Sequence, residues 1–437
     1  MSPSDPSSQS SRRNFLTNSS TAIVGGAVAT ALPRAPAVHA AGDDTLKIGL
    51  IGCGGRGNSA AGNAMRGDPN VKLTAMADAF EDRLDQARKV LGRSLRDKYA
   101  VDDDHAFFGF DAYKRVIESD VDIVLLCTPP HFRPQQLRAA IEHGKHVFCE
   151  KPVAVDGPGV RSVLETVKQA KQKDLSIVSG LCWRYDYGVR ETMKRIQDGA
   201  IGDVTSVQEN YLTGTLWHRG RKPAWSEMEF QMRNWLYFTW LSGDHIVEQH
   251  IHSLDKALWL MNDELPQNCF GLGGRQVRTD NKWGHVYDHF AVCYEWANGV
   301  KTYAFTRQIA GCHNDVDDYV LGTKGRAHLL GTRGRPRIEN GDGAWKYKGP
   351  RPSMYDVEHK EMLAAIRAGQ PINNGVYMSY STLMAIMGRE ACYTGQTITS
   401  QDMLNSTFDM SPNRYEWGDV TLPRVAMPGQ TKLDRSA

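Results

Sequence analysis

The sequence predicts an α/β domain built on a parallel sheet, followed by an α+β domain whose strands are mostly antiparallel. Three observations predict it. Short apolar runs between residues 46 and 149 alternate with segments of helical length, the pattern of βαβ units. Between 268 and 331 the apolar segments are separated instead by Asn-Gly and Gly-rich turns, which favour antiparallel pairing. The chain has 437 residues, 41% hydrophobic and 23% charged, enough for two globular cores and unlike a disordered, collagen-like or disulfide-scaffold protein.

Each element follows from local residues. Leu46-Lys47-Ile48-Gly49-Leu50-Ile51 is a buried parallel strand by composition, ending in Gly52, and residues 55–66 can form a helix. Val71 to Ala77 is a second strand ending in Asp78, with helical segments near 81–92 and 111–118. Ile123 to Cys127 is a third, followed by Thr128-Pro129-Pro130 and a helix of about ten residues that closes at His143-Gly144. His146 to Cys149 is the next strand. A helix at 156–173, a strand at 175–181, a helix at 186–198 and a strand at 203–212 carry the chain into the second domain. Residues 332–353, rich in Gly, Arg and Pro, are predicted as a surface loop, and helices at 355–368 and 378–395 follow. The resulting division is 1–40, 45–155, 156–400 and a C-terminal extension at 401–437.

The charge is small and localised. Lys and Arg total 52 against 50 acidic residues. Arg12, Arg13 and Arg34 against Asp5 account for the whole net charge of +2, so the rest is formally neutral. A neutral body excludes the electrostatic footprint of a nucleic-acid or anionic-membrane binder. The first forty residues, with Arg12-Arg13-Asn14-Phe15-Leu16, a mild apolar run from Thr21 to Leu32 and a small-residue exit at Val38-His39-Ala40, resemble a twin-arginine export signal. That reading expects a periplasmic protein exported folded, without a membrane anchor. The eight cysteines include no C-x-x-C and suit buried thiols, with disulfides open in an exported protein.

Three motifs carry chemistry. Gly52-Cys53-Gly54-Gly55-Arg56-Gly57 follows a strand and opens a helix. Gly52 would allow a tight turn, Gly54 close approach of a pyrophosphate to the helix N-terminus, and Gly57 tight helix–sheet packing. Asp78 ends the next strand, where a carboxylate accepts hydrogen bonds from an adenosine ribose and repels a 2′-phosphate. With no cation at Ala79 or Phe80, NAD is favoured over NADP. The second motif, Glu150-Lys151-Pro152, ends a strand of the same sheet, where ligands of parallel sheets bind. Lys151 is either a solvated surface residue or a positive donor beside a carbinol oxygen. The third runs from Gly243 to Asp255 with helical periodicity to Leu260. Its spacing puts Glu248, His252 and Asp255 on one face, with a carboxylate able to fix the His252 tautomer. His245, Glu248 and His252 could instead ligate a metal, or His252 could be purely structural.

In order, Gly52-x-Gly54-x-x-Gly57, Thr128-Pro129-Pro130-His131, Gly144-Lys145-His146-Val147, Glu150-Lys151-Pro152, Trp183-Arg184-Tyr185, Gly199-x-x-Gly202-Asp203 and His252-x-x-Asp255 resemble the Gfo/Idh/MocA oxidoreductases over roughly 45–400. The resemblance implies an N-terminal Rossmann domain and a C-terminal domain with an open, mostly antiparallel sheet, whose exposed face often makes dimers or tetramers. It implies a metal-free enzyme in which Lys151 and His252 flank the reacting carbon. Glu248 stands where the family commonly has Asp. It further implies NAD contacts from Gly52, Gly54, Gly55, Arg56, Gly57, Asp78, Thr128, Pro129, His131, Glu150 and Lys151. Substrate contacts are expected from Lys151, Trp183, Arg184, Tyr185, Trp235 and His252, with Trp217, His218, Arg233 and Asn234 as further candidates.

The reaction expected is hydride transfer from a sugar or cyclitol ring hydroxyl to a tightly held NAD. His252 would take the hydroxyl proton and Lys151 would steady the alkoxide. Two other readings stand beside it: a redox-neutral, NAD-dependent glycoside-cleaving enzyme of the same family, and a non-catalytic sugar-binding protein.

Overall fold

A computed structural model describes residues 44–329, 335–421 and 424–433. The twin-arginine segment lies outside them. The first sheet is parallel throughout, with strands β1 (Leu46–Ile51), β2 (Val71–Asp78), β3 (Ala106–Phe108), β4 (Ile123–Leu126), β5 (His146–Cys149) and β6 (Ile177–Ser179). Their order, β3-β2-β1-β4-β5-β6, reverses direction beside β1, which opens a crevice at the carboxyl ends of β1 and β4. The strands read as continuous apolar runs because helices cover both faces: β4, Ile-Val-Leu-Leu, is wholly buried. Helices α1 (Gly55–Gly67), α2 (Glu81–Leu95), α3 (Ala112–Glu118), α4 (Arg133–Glu142) and α5 (Gly157–Gln172) provide the crossovers. The parallel sheet therefore runs past residue 155, because α5 returns β6 to pair with β5.

Helix α6 (Tyr187–Gln197) leads into the second sheet. Its strands are β7 (Val204–Thr213), β8 (Asn268–Gly274), β9 (His289–Glu295), β10 (Lys301–Gln308), β11 (Asp315–Gly322), β12 (Gly325–His328), β13 (Arg337–Asn340), β14 (Gly343–Lys346) and β15 (Ile398–Thr399). The order β14-β13-β12-β11-β7-β10-β9-β8-β15 is antiparallel except where β10 lies parallel to β7. The segment predicted as a surface loop contains the β13–β14 hairpin, closed at Gly343 with φ of +121°. Its Gly, Arg and Pro content hid two four-residue strands, the outer of which, β14, forms the edge of the second sheet.

Between β7 and β8 the chain forms short helices α7 (Glu227–Arg233), α8 (Thr239–Ser242), α9 (His245–Glu248) and the longer α10 (Ile251–Leu260). After the second sheet's hairpins come α11 (Met354–Arg367), α12 (Gly375–Thr394) and α13 (Ser400–Asn405). Helix α12 is buried along most of its length and packs against both α5 and β8, so one apolar core joins the two halves. One face of the second sheet remains open, with Phe270, Leu272, Tyr303, Phe305 and Leu321 exposed. All eight cysteines are free.

Candidate active site

The glycine loop after β1 is shaped by sterics. Gly52 has φ of +98°, and a Cβ there would lie 2.6 Å from the Cys127 carbonyl carbon. A Cβ on Gly57 would lie 1.9 Å from the Gly52 carbonyl oxygen, so no side chain fits where α1 presses on the loop. Gly54 and Gly55 differ: nothing lies within 4 Å of a Cβ built on either. They face a cavity of about 400 Å³ lined by the loop, Asp78, Thr128, Pro129 and aromatic residues. The first N–H groups of α1 lack a side-chain cap and open toward it. Open space at a positive helix end is what a pyrophosphate requires, and the residues present fit a dinucleotide.

At the far end of the loop the Asp78 carboxylate accepts hydrogen bonds from the backbone N–H of Cys53 at 2.7 Å and of Phe80 at 2.9 Å. Burial raises its pKa against those hydrogen bonds. Arg83, Arg219 and Arg233 line the same cavity. Arg233 is paired with Asp82 and Glu229, while burial and the charges of Arg83 and Arg233 lower the Arg219 pKa. The two residues after Asp78 carry no cation, but the folded cavity does. Arg83 lies in the first turn of α2, within reach of a closer sequence reading. Arg219 comes from the second half of the chain, and only the fold brings it here.

Arg56 lines the cavity as expected and is braced from behind, whereas Glu150 is not among the lining residues. The Arg56 guanidinium is bound by Glu150 and by Glu358 of α11, and lies against the Phe148 and Tyr355 rings. These two residues tie the glycine loop to α11. Thr128 Oγ donates to Gln136 at 2.6 Å, and the His131 ring contacts the Tyr415 hydroxyl at 2.7 Å. His131 sits beside the cavity wall formed by Phe132 and Pro129 rather than in it.

Lys151 follows β5, and its Nζ donates to Glu248 Oε1 at 2.9 Å and to the Glu248 backbone carbonyl. That carbonyl is available because the helix predicted through Gly243–Leu260 is interrupted. His250 N–H reaches back five residues to His245 O at 3.1 Å, and His252 N–H bonds to Gln249 O at 3.2 Å. The local widening removes the bond that His252 N–H would make to Glu248 O, and Lys151 takes that acceptor. Glu248 thus holds Lys151 and does not share a helix face with His252.

His252 is half-buried, and its Nδ1 is shielded from solvent without a hydrogen-bond partner. Burial first, then the charges of Lys151, Lys256 and Arg56, push its pKa well below the usual histidine value, so the ring is neutral near pH 7. The expected Asp255 partner is engaged elsewhere. Its carboxylate accepts from Arg184 Nη2 at 2.8 Å and from Ser381 at 2.8 Å. Arg184 is buried, also pairs with Asp263 at 2.6 Å, and lies 3.8 Å from the Tyr377 ring centroid. Tyr185 donates to Asn374 at 2.9 Å inside the core. Both leave the substrate set for the same reason: a buried guanidinium and phenol need fixed partners, and these residues find them between helices. Trp183 packs over the Lys256 ammonium at 5.5 Å.

Trp217, Arg233 and Trp235 do line the cavity. His218 instead meets the Lys282 carbonyl at 2.8 Å, and Asn234 is buried and accepts from the Arg219 N–H. His245 turns to Asp244 at 3.1 Å, so the two-His, one-carboxylate set is not assembled. Among the described residues no group of three or more His, Cys, Asp or Glu side chains is placed to hold a metal ion.

The geometry agrees with the comparisons. Residues 46–179 match the family described as an oxidoreductase family with an NAD-binding Rossmann fold, and residues 189–328 match the GFO/IDH/MocA C-terminal domain. The chain is similar to an inositol 2-dehydrogenase of Rhizobium meliloti, at 26% identity over 75% of this chain and 91% of the relative. It is equally similar, at 26% identity over 75% of this chain and 90% of the relative, to a myo-inositol 2-dehydrogenase of Thermotoga maritima. The fold matches the crystal structure of scyllo-inositol dehydrogenase from Lactobacillus casei with bound NAD(H) and scyllo-inositol, with TM-score 0.62, 20% identity, and coverage of 82% of this chain and 100% of that one. With residues 46–179 and 189–328 both matched and a dinucleotide loop opening onto a cavity, this chain belongs to the Gfo/Idh/MocA family of NAD-dependent oxidoreductases.

Proposed function

We propose that this protein oxidises a ring hydroxyl of a cyclitol or sugar. One observation carries the reading: Lys151, fixed by Glu248 at the carboxyl edge of the nucleotide-binding sheet, stands near a neutral His252 whose Nδ1 is buried and unpartnered. NAD, when bound, supplies the hydride acceptor. His252 takes the hydroxyl proton, which its neutral ring is free to do. Lys151 places a positive charge against the alkoxide that develops, and Glu248 keeps the ammonium from rotating away. Trp235 and Trp217 offer apolar faces to a ring substrate.

The nucleotide is held tightly and, with the twin-arginine segment at residues 12–16, travels with the folded protein to the periplasm. A retained nucleotide suits a compartment without a free NAD supply. The exposed aromatic and aliphatic residues of the second sheet, Phe270, Leu272, Tyr303, Phe305 and Leu321, suit a dimer or tetramer interface.

Mass spectrometry of nucleotide released from the purified protein, followed by NADH formation with a panel of inositols and monosaccharides, tests the reading. Retained NAD and reduction by at least one polyol are expected. Absence of NAD binding, or glycoside cleavage without any NADH, overturns it. Lysine substitution of Arg12 and Arg13 in a reporter fusion tests the export route, with loss of periplasmic signal expected.

A further inference from the structure

The C-terminal segment beyond α13 has no regular secondary structure between 406 and 420, yet its aromatic side chains are placed with purpose. The cavity wall beside Asp78 is built from Phe80, Phe110 and Phe132. Trp417 stacks on Phe80 at 5.1 Å between ring centroids and meets Phe110 at 4.6 Å. Tyr415 lies 6.2 Å from Phe110 and 5.9 Å from Phe132, and its hydroxyl contacts His131 Nε2 at 2.7 Å. The Arg233 guanidinium lies 4.1 Å from the Phe80 centroid, so that ring is gripped by groups from two distant parts of the chain.

The segment is tied down along its length. Met410 N–H donates to Asp156 at 3.1 Å, and Gly418 O accepts from Met228 N–H at 3.0 Å. Tyr415 and Trp417 are themselves 38% and 45% exposed, so they form an outer layer rather than part of the core. Their buried faces rest on the rings that line the cleft.

We propose that Tyr415 and Trp417 are positioning residues for the nucleotide, holding Phe80 and Phe110 as the wall against which its adenosine end packs. This rests on reading the cleft as the NAD site. Neither residue touches the cavity; each acts through the phenylalanine in front of it. Removing the backing lets the wall rings rotate into alternative rotamers, and the nucleotide then meets a mobile surface and leaves faster.

The test uses full-length protein carrying Trp417→Ala, Trp417→Phe or Tyr415→Phe. Trp417→Ala raises the KM for NAD and the NAD dissociation rate by about tenfold, the loss of one well-formed aromatic contact expressed in affinity. Co-purified NAD falls, while the KM for the polyol does not move. Trp417→Phe, which keeps an aromatic ring against Phe80, restores most of the retention. An unchanged NAD dissociation rate in Trp417→Ala overturns the proposal. So does a parallel loss of polyol KM, NAD KM and melting temperature that Trp417→Phe does not rescue, since that describes a structural residue alone. A wild-type protein that binds no NAD fails the cofactor reading itself, and is recognised before any variant is made.

Discussion

Lys151 and His252 lie 101 positions apart in sequence, and the bond from Lys151, just after β5, to Glu248 at the end of α9 brings its charge to bear on the His252 ring. Lys151→Ala and His252→Ala are each expected to lower kcat by about 10²- to 10⁴-fold while leaving NAD binding intact, the range for losing a positioned acid–base or electrostatic group. Steady-state kinetics alongside fluorescence titration of NADH would separate the two effects. Arg184 belongs to a different kind of site. Its guanidinium is buried between Asp255 and Asp263, so Arg184→Ala strands a buried carboxylate and is expected to destabilise the fold by about 3–5 kcal/mol. Urea unfolding measures this, and a variant as stable as wild type would instead return Arg184 to the substrate set.

Helix α1 and the interrupted helix pair carry the chemistry at the scale of elements. Two glycines in the same loop respond differently because their surroundings differ. Gly57→Ala forces a Cβ to 1.9 Å from the Gly52 carbonyl oxygen and must displace α1, so loss of soluble, folded protein is expected. Gly54→Ala meets open space and folds, but its methyl group occupies the surface a pyrophosphate approaches. Isothermal titration should therefore find a folded protein with NAD affinity reduced tenfold or more. The α9–α10 break is the other decisive element. Helical periodicity continues across it, which is why the sequence suggests one helix with Glu248 and His252 aligned. The five-residue reach from His250 to His245 redirects Glu248 toward Lys151 and leaves His252 Nδ1 unpartnered.

At the scale of the molecule, buried and half-buried neutral histidines tie stability to pH. Burial lowers the pKa of His131 to about 4 and of His250 and His359 to about 3, and lowers that of His252 as well. The unfolded chain protonates these rings near pH 6.5, whereas the folded protein resists. Their contribution is therefore complete above about pH 6.5 and is lost as pH falls toward 4, by at most about 1.4 kcal/mol per group per pH unit. Thermal melts should show Tm level from pH 8 to 7 and falling steeply below 6; a flat profile to pH 4.5 would contradict the burial. The open face of the second sheet makes a separate prediction. Leu272 is 80% exposed on β8, so Leu272→Asp tests the dimer or tetramer interface proposed for that face, with a smaller species than wild type expected in light scattering.

The sequence alone determined the parallel first sheet, the glycine loop on α1, Asp78 at the end of β2, Lys151 at the end of β5 and the antiparallel character of the second sheet. These rest on short-range rules: apolar runs, turn residues and the spacing of a motif within one βαβ unit. Tertiary structure decided which polar side chains are free to act. Arg184, Tyr185 and Glu150 have the residue types of a binding site, but each finds a partner from a distant segment, and burial makes that pairing compulsory. Arg219 reaches the cleft, and Tyr415 and Trp417 back its wall, from segments whose local sequence says nothing of a nucleotide. Periodicity reports which face of a segment is buried, but not what it is buried against. That depends on contacts between residues hundreds of positions apart, and it separates a chemical group from a structural one.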